Sequence, residues 1–258
     1  MEDVSAVEAP HRPGPLATFL ATVCGTLFLV FGSVVFGTGA ILMSWIPPRG
    51  RYSFPFAVWW ARGLLLATGV RLEVVGAPAE KVAGRVVFMP NHQSLFDIPV
   101  MLVSVPCRIC FLAKKSLFRI PVFGWALAAI GFVPIDRDDR SRARDAFNKA
   151  MESLDSGVSI VIYPEETRSL DGRVQPFQRG GFLMALKAGA PIVPVGIRGT
   201  FAVRPKGRRT MHPGPVEVHY GDPVDVTGIG VRERRELVQK VEAEVARLAA
   251  APRGGEVG

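Results

Sequence analysis

The most distinctive pattern along the chain is an uncharged stretch near its N-terminus. No Asp, Glu, Lys or Arg occurs among the 36 residues from 13 to 48. A helix that spans a bilayer needs about 20 apolar residues. The stretch therefore predicts an N-terminal hydrophobic helical membrane anchor, which either spans the bilayer once or folds as a helical hairpin within it.

The basic residues that follow this stretch predict its orientation. Arg49, Arg51 and Arg62 have no acidic residue among them, and such positive charge is typical of the cytoplasmic side of a membrane segment. We therefore expect a protein of the cell inner membrane whose C-terminal domain lies on the cytoplasmic side. A second apolar and aromatic stretch, 52–70, predicts either an amphipathic helix in the membrane interface or a core helix of the soluble domain.

From Arg71 onward, short β-branched runs alternate with helical patterns. The runs that predict strands are 71–75, 85–89, 109–112, 158–163, 192–197 and 216–220. The helical patterns lie at about 95–105, 122–129, 141–156, 180–188 and 232–249. This alternation indicates an α/β fold with a mixed, largely parallel sheet flanked by helices. The predicted segments are a polar tail at 1–14, a membrane-anchoring helical segment at 15–70, the α/β domain at 71–250 and a flexible tail at 251–258.

Composition and charge narrow the classes of partner. The chain is 48% hydrophobic and carries a net charge of +8, which suits a partner that bears phosphate. We expect the membrane bilayer and no nucleic acid, because no nucleic-acid-binding motif is recognisable and the anchor favours lipid. Cys107 and Cys110 form a CxxC pair, but the second pair that a structural zinc site needs is missing. We therefore predict buried thiols and no metal site.

The strongest chemical signal is the pair formed by His92 and Asp97. His92 follows a predicted strand, at the end where open α/β sheets place their sites, and Asp97 lies five residues further on, in the helix that follows. A carboxylate that holds one imidazole nitrogen leaves the other free to accept a proton. The pair thus predicts a general base that acts on a substrate hydroxyl, although a structural loop histidine beside a helix N-terminus would show the same spacing.

Two further segments carry basic residues. In 163–169, the sequence YPEETRS follows a predicted strand, and Arg168 is placed to bind a phosphate group. In 112–125, basic residues including Lys114 alternate with large apolar ones, which suits a surface that touches phosphate and acyl chain together. A surface ion pair and a solvated basic turn are the alternatives. No G-x-S-x-G sequence occurs, which argues against a serine hydrolase.

Together with the buried run VPV at 193–195, these blocks resemble, in order, the 1-acyl-sn-glycerol-3-phosphate acyltransferase family of the bacterial PlsC type. The resemblance covers roughly 85–200, about half the chain. The positions that match the family's first three motifs are Asn91, His92 and Asp97; Lys114, Leu117, Pro121, Gly124 and Trp125; and Pro164, Glu165, Thr167, Arg168 and Ser169. Two positions depart from it: Tyr163 replaces a Phe and Glu166 replaces a Gly.

The resemblance implies transfer of a fatty acyl group from acyl-CoA or acyl-carrier protein, as co-substrate and without a cofactor, to the sn-2 hydroxyl of lysophosphatidic acid. It implies that His92 is the base, oriented by Asp97. We expect Lys114, Arg168 and Arg179 to hold the phosphate of the lyso-phospholipid acceptor. Thr167 is expected to bind substrate in the same loop.

Glu165 is expected to hydrogen-bond the glycerol or to brace Arg168. Glu166 is less expected, because a glycine there serves a special backbone angle or close approach to substrate, and a carboxylate repels phosphate. The alternatives are an acyltransferase for another lyso-lipid or glycerol-3-phosphate, and a non-catalytic lipid-binding membrane protein.

Overall fold

The N-terminal apolar stretch forms one continuous helical rod. The computed structural model describes residues 13–48, 50–76, 85–136, 140–230 and 233–250, so most of the predicted N-terminal tail and all of the predicted C-terminal tail lie outside the described residues. The rod consists of α1 (Pro15–Leu27), a π-helical turn (Phe28–Gly32) and α2 (Ser33–Met43). Its 29 residues are long and apolar enough to cross a membrane by length and composition.

The second apolar stretch forms α3 (Phe54–Ala67), which has two different faces. Ala57, Ala61 and Leu64 are buried in the main core, whereas Trp59 and Leu66 are largely exposed. The helix therefore combines the two predicted alternatives, since it packs on the soluble domain along one face and presents apolar side chains along the other.

A seven-stranded sheet forms the centre of the α/β domain. Its strand order is β1-β7-β6-β2-β5-β3-β4, and every neighbouring pair is parallel except β6 and β7. The strands are β1 (Val70–Val75), β2 (Val87–Pro90), β3 (Ile109–Lys114), β4 (Val133–Ile135), β5 (Ser159–Val161), β6 (Ile192–Arg198) and β7 (Gly214–Tyr220). The predicted fold class, a mixed and largely parallel sheet flanked by helices, is confirmed.

Helices cover the sheet on both sides. The remaining helices are α4 (Asp97–Ser104), a 3-10 turn (Lys115–Arg119), α5 (Phe123–Ile130), α6 (Arg140–Asp155), α7 (Arg179–Ala188), α8 (Thr200–Val203) and α9 (Arg234–Ala250). One apolar core lies between the sheet and α3, α4 and α5, and a second lies between the sheet and α6, α7 and α9. Since β2 and β5 are parallel neighbours, the loops that follow them meet at one edge of the sheet.

Candidate active site

His92 and Asp97 are in direct contact at the carboxyl edge of the sheet. His92 follows β2, and Asp97 is the first residue of α4. The imidazole Nδ1 of His92 lies 2.7 Å from the Oδ2 atom of Asp97. The Asp97 side chain is fully buried, whereas that of His92 is 16% exposed. The carboxylate is thus shielded from solvent, whereas part of the imidazole remains accessible to solvent.

The Asp97 carboxylate accepts three further hydrogen bonds. The backbone N–H groups of Gln93 and Ser94 donate to Oδ2 at 2.7 and 2.8 Å, and the Thr200 hydroxyl donates to Oδ1 at 2.6 Å. A carboxylate that only accepts requires the proton of a neutral imidazole to lie on Nδ1. The other ring nitrogen, Nε2, then carries a lone pair that can accept a proton.

The loop after β5 fixes the backbone and ring of His92. The N–H group of His92 donates to Oε1 of Glu165 at 2.7 Å, and the N–H group of Ser169 donates to the His92 carbonyl at 2.8 Å. The Tyr163 ring stacks on the imidazole with ring centroids 4.0 Å apart. Contacts from both loops therefore hold His92 in place, and its orientation does not depend on Asp97 alone.

A third strand is joined to the same loop. The Asn91 side chain accepts from the Ile197 N–H group at 2.7 Å and donates to the Ile197 carbonyl at 3.0 Å. Gln93 donates a second hydrogen bond to that carbonyl at 2.6 Å. These contacts join the ends of β2 and β6. The positioning contacts of Ser169, Thr200 and Gln93 were not predicted, because sequence spacing alone does not reveal which distant loop a side chain reaches.

An apolar cavity of about 260 Å³ adjoins this loop. The N-terminal rod contributes Leu29 and Phe36 to its wall, the His92 loop contributes Leu95 and Phe96, and α5 contributes Ala126. The cavity therefore lies between the apolar rod and the α/β domain and has the lining that a fatty acyl chain needs.

The three predicted phosphate-binding cations form no ion pairs among the described residues. Lys114 is exposed at the end of β3, Arg168 is half-buried in the loop after β5, and Arg179 is exposed at the start of α7. None of the three pairs with a carboxylate within the part of the chain that the structure describes. The exposed Thr167 hydroxyl accepts a hydrogen bond from Lys206 at 3.0 Å.

Comparisons with known proteins show the family to which the chain belongs. Residues 71–198 match the sequence model of the Acyltransferase family. A 1-acyl-sn-glycerol-3-phosphate acyltransferase of Pseudomonas aeruginosa is 32% identical, over 88% of this chain and 89% of its own length. The chain belongs to the 1-acyl-sn-glycerol-3-phosphate acyltransferase family. A chloroplastic acyltransferase of that name from Brassica napus is 39% identical over 54% of this chain, but the match spans only 40% of its own length.

The fold agrees with a solved member of the same family. The crystal structure of the 1-acyl-sn-glycerophosphate acyltransferase PlsC from Thermotoga maritima has a TM-score of 0.78 and 28% sequence identity to this chain. The superposition covers 93% of this chain and 99% of that one. The resemblance thus extends beyond the motif blocks to the N-terminal helices.

The departure from the acyltransferase family at Glu166 has a local structural explanation. Glu166 adopts a left-handed backbone conformation with φ of 59°, which favours glycine. Its carboxylate reaches the first turn of α7, where Oε1 lies 3.7 Å from the position that a Cβ atom would take at Gly180. A negative charge is favourable at that helix N-terminus. The family's glycine thus fits the backbone angle, and the Glu166 carboxylate has a favourable location of its own.

Glu165 provides a pH-dependent prediction. Its side chain is buried, and burial raises the pKa of its carboxyl to about 7, from an ordinary value of 4.5. A raised pKa stabilises the fold below pH 4.5, and this contribution is lost as the pH rises to about 7. Between pH 5.5 and 8.5 we expect the unfolding temperature of the wild type to fall by roughly 5 °C more than that of Glu165→Gln.

The glutamine variant is a matched control, because its side-chain carbonyl still accepts the hydrogen bond from the His92 N–H group but does not titrate. Thermal unfolding in detergent at several pH values checks the prediction. Parallel curves for the two proteins would show that Glu165 does not titrate in this range.

Tyr163 provides a second prediction. Its hydroxyl is buried and has no hydrogen-bond partner among the described residues, and burial raises the pKa of the phenol well above its usual value. Tyr163→Phe removes this unsatisfied group and keeps the ring that stacks on His92. We expect it to stabilise the protein by about 1 kcal/mol and to leave kcat unchanged, as chemical denaturation and activity assays would show.

Tyr163→Leu is the matched comparison, since it removes the aromatic stack as well as the hydroxyl. We expect this variant to lower kcat. A loss of stability in Tyr163→Phe would instead show that the hydroxyl has a bonding partner in the folded protein.

Proposed function

We propose that the protein transfers a fatty acyl group from an acyl-CoA or acyl-carrier-protein thioester to the sn-2 hydroxyl of lysophosphatidic acid, which gives phosphatidic acid. The observation that carries the proposal is the accessible His92 imidazole, held through Nδ1 by a buried Asp97, on a loop that also lines an apolar cavity. The family relatives carry the name of this activity. A protein that only bound lipid would not require an oriented base.

The chemistry follows from the free nitrogen of His92. Nε2 accepts the proton of the acceptor hydroxyl while the hydroxyl oxygen attacks the thioester carbonyl carbon. The Asp97 carboxylate stabilises the imidazolium that forms. The tetrahedral intermediate then expels the thiolate, which takes the proton from His92. The products are the new ester and the free thiol of CoA or the carrier protein, and no acyl group is attached to the enzyme.

The cations and the cavity are proposed to bind different chemical groups, the acceptor phosphate and a fatty acyl chain. Lys114, Arg168 and Arg179 lack carboxylate partners in the described part of the chain, so each is available to the acceptor phosphate. We assign the cavity to the acyl chain of the thioester donor. We assign Glu165 a role in positioning His92, because its Oε1 accepts a hydrogen bond from the His92 N–H group.

We propose that the N-terminal rod lies along the membrane surface and does not cross the bilayer. It packs on the domain along its length: Gly25 lies against Thr68 and Met211, and Gly37 lies against Val122 and Ala126. The rod also exposes large apolar side chains, which include Phe19, Phe31, Val35 and Leu42. Because the rod packs against the domain near both of its ends, it would have to detach from the domain in order to cross the bilayer. The membrane is the cell inner membrane, with the catalytic domain on its cytoplasmic side.

The experiment is acyl transfer by the purified protein in detergent with palmitoyl-CoA and lysophosphatidic acid. We expect phosphatidic acid, identified by mass spectrometry. Parallel reactions use acyl-carrier protein as donor and glycerol-3-phosphate or another lyso-lipid as acceptor. Product only with a different acceptor would replace the proposed substrate, and no product with any pair would leave lipid binding as the function.

A further inference from the structure

Arg204 is held beside the His92 loop by contacts of its backbone. It follows α8 directly, and the Ser94 hydroxyl donates to the Arg204 carbonyl at 2.8 Å. Ser94 also forms an isolated antiparallel β-bridge with Pro205. Since Ser94 is two residues from His92, these contacts fix the backbone of Arg204 close to the candidate base.

The same segment is fastened to the loop that carries Arg168. The Lys206 ammonium donates to the Thr167 hydroxyl at 3.0 Å and to the Arg168 carbonyl at 3.4 Å. The loop after α8 therefore bridges the loops after β2 and β5, and the charges of Arg204 and Arg168 are near enough to interact.

The Arg204 side chain is half-buried and incompletely bonded. Its Nε donates to the Arg208 carbonyl at 3.3 Å, and no carboxylate within the described ranges pairs with it. Burial and the nearby charge of Arg168 lower the pKa of the Arg204 guanidinium. Two neighbouring guanidinium groups repel each other unless an anion lies between them.

Arg204 also lines the apolar cavity. Among the described residues that line the cavity, it is the one charged side chain. The guanidinium therefore borders both the apolar cavity and the loop that carries His92. Arginine binds a phosphate through two parallel hydrogen bonds, which lysine cannot form.

We propose that Arg204, together with Arg168, binds the phosphate of the lysophosphatidic acid acceptor. This proposal rests on the proposed function. The acceptor phosphate is attached to the carbon next to the one that bears the reacting hydroxyl, so it must lie close to His92. The phosphates of CoA are separated from the thioester by the long pantetheine arm, which makes them a poorer match to a residue fixed at Ser94.

The test compares steady-state kinetics of Arg204→Ala with those of the wild type. We expect KM for lysophosphatidic acid to rise about ten- to a hundredfold, with KM for palmitoyl-CoA unchanged. Arg204→Lys, which keeps the charge but loses the paired hydrogen bonds, should give an intermediate KM. Arg209→Ala is the matched control, because it removes one positive charge from an exposed position of the same loop and should change neither KM.

A binding measurement separates this proposal from the proposed activity. In the His92→Ala background, we expect Arg204→Ala to weaken equilibrium binding of lysophosphatidic acid but not of monoacylglycerol, which lacks the phosphate. Unchanged binding of both lipids would overturn the proposal, and so would a rise in KM for palmitoyl-CoA alone, which would assign Arg204 to the donor. A wild type that binds lysophosphatidic acid through Arg204 but forms no phosphatidic acid would contradict the proposed activity alone.

Discussion

Replacement of His92 by alanine is expected to lower kcat by about 10³- to 10⁴-fold, while the protein stays folded and associated with detergent or membrane. The reason is that Nε2 of His92 is the candidate proton acceptor, and alanine leaves no other base in its place. Asp97 keeps its bonds to the Gln93 and Ser94 N–H groups and to Thr200, so the loop retains its internal contacts. Single-turnover measurement of phosphatidic acid checks the chemical step directly.

His212→Ala is the control for this variant. His212 lies outside the site, and its Nδ1 contacts the Thr18 hydroxyl of the N-terminal rod at 3.1 Å. We expect its kcat to stay near that of the wild type. Near-normal turnover by His92→Ala would remove His92 from the mechanism, and an equal loss in both variants would indicate a general effect of histidine removal on the fold.

Replacement of Ala126 by phenylalanine is expected to shorten the acyl chain that the protein accepts. Ala126 is buried in α5, lines the cavity and lies close to Gly37 of the rod. We expect the added ring to enter the cavity, which is the open space beside this side chain. Each methylene group that loses its burial costs about 0.8 kcal/mol, so exclusion of four methylenes predicts a drop of about two orders of magnitude in kcat/KM for palmitoyl-CoA.

A series of acyl-CoA donors from eight to sixteen carbons checks this prediction. We expect Ala126→Phe to keep activity with the shortest donors, which also shows that it folds. Ala128→Phe is the control, since Ala128 lies on the exposed face of the same helix. An equal loss for all chain lengths would mean that the ring disturbs the packing of α5 against the rod and does not fill an acyl site.

The fold could be predicted largely because its central strands are buried on both faces. Runs such as Val87–Pro90 and Ile192–Arg198 are almost continuously buried, and β-branched composition marks them clearly. The strand Val133–Ile135 was missed, because three residues with a central proline show no alternation or apolar run long enough to detect. The π-helical turn at Phe28–Gly32 was missed as well, since its residues continue the helical pattern of their neighbours.

The site could be predicted only as far as its contacts are local. His92 and Asp97 are close in sequence, so their hydrogen bond follows from a strand that is succeeded by a helix. The hydrogen bond from Ser169 to the His92 carbonyl and that from Thr200 to Asp97 join segments far apart in the chain. Which distant loop meets the His92 loop depends on the strand order of the sheet, and the sequence pattern does not contain that order.

In the proposed mechanism, one helical rod both contacts the membrane and forms part of the wall that selects the length of the acyl chain. Leu29 and Phe36 of the rod face the cavity, while Phe31 and Val35 of the same turns face outward. A mutation in this segment can therefore change the membrane-facing surface, the wall of the cavity, or both. A change of helix rotation that altered how the rod sits on the membrane surface would also reshape the wall of the cavity, so the composition of the membrane surface and the choice of fatty acid are coupled through this helix.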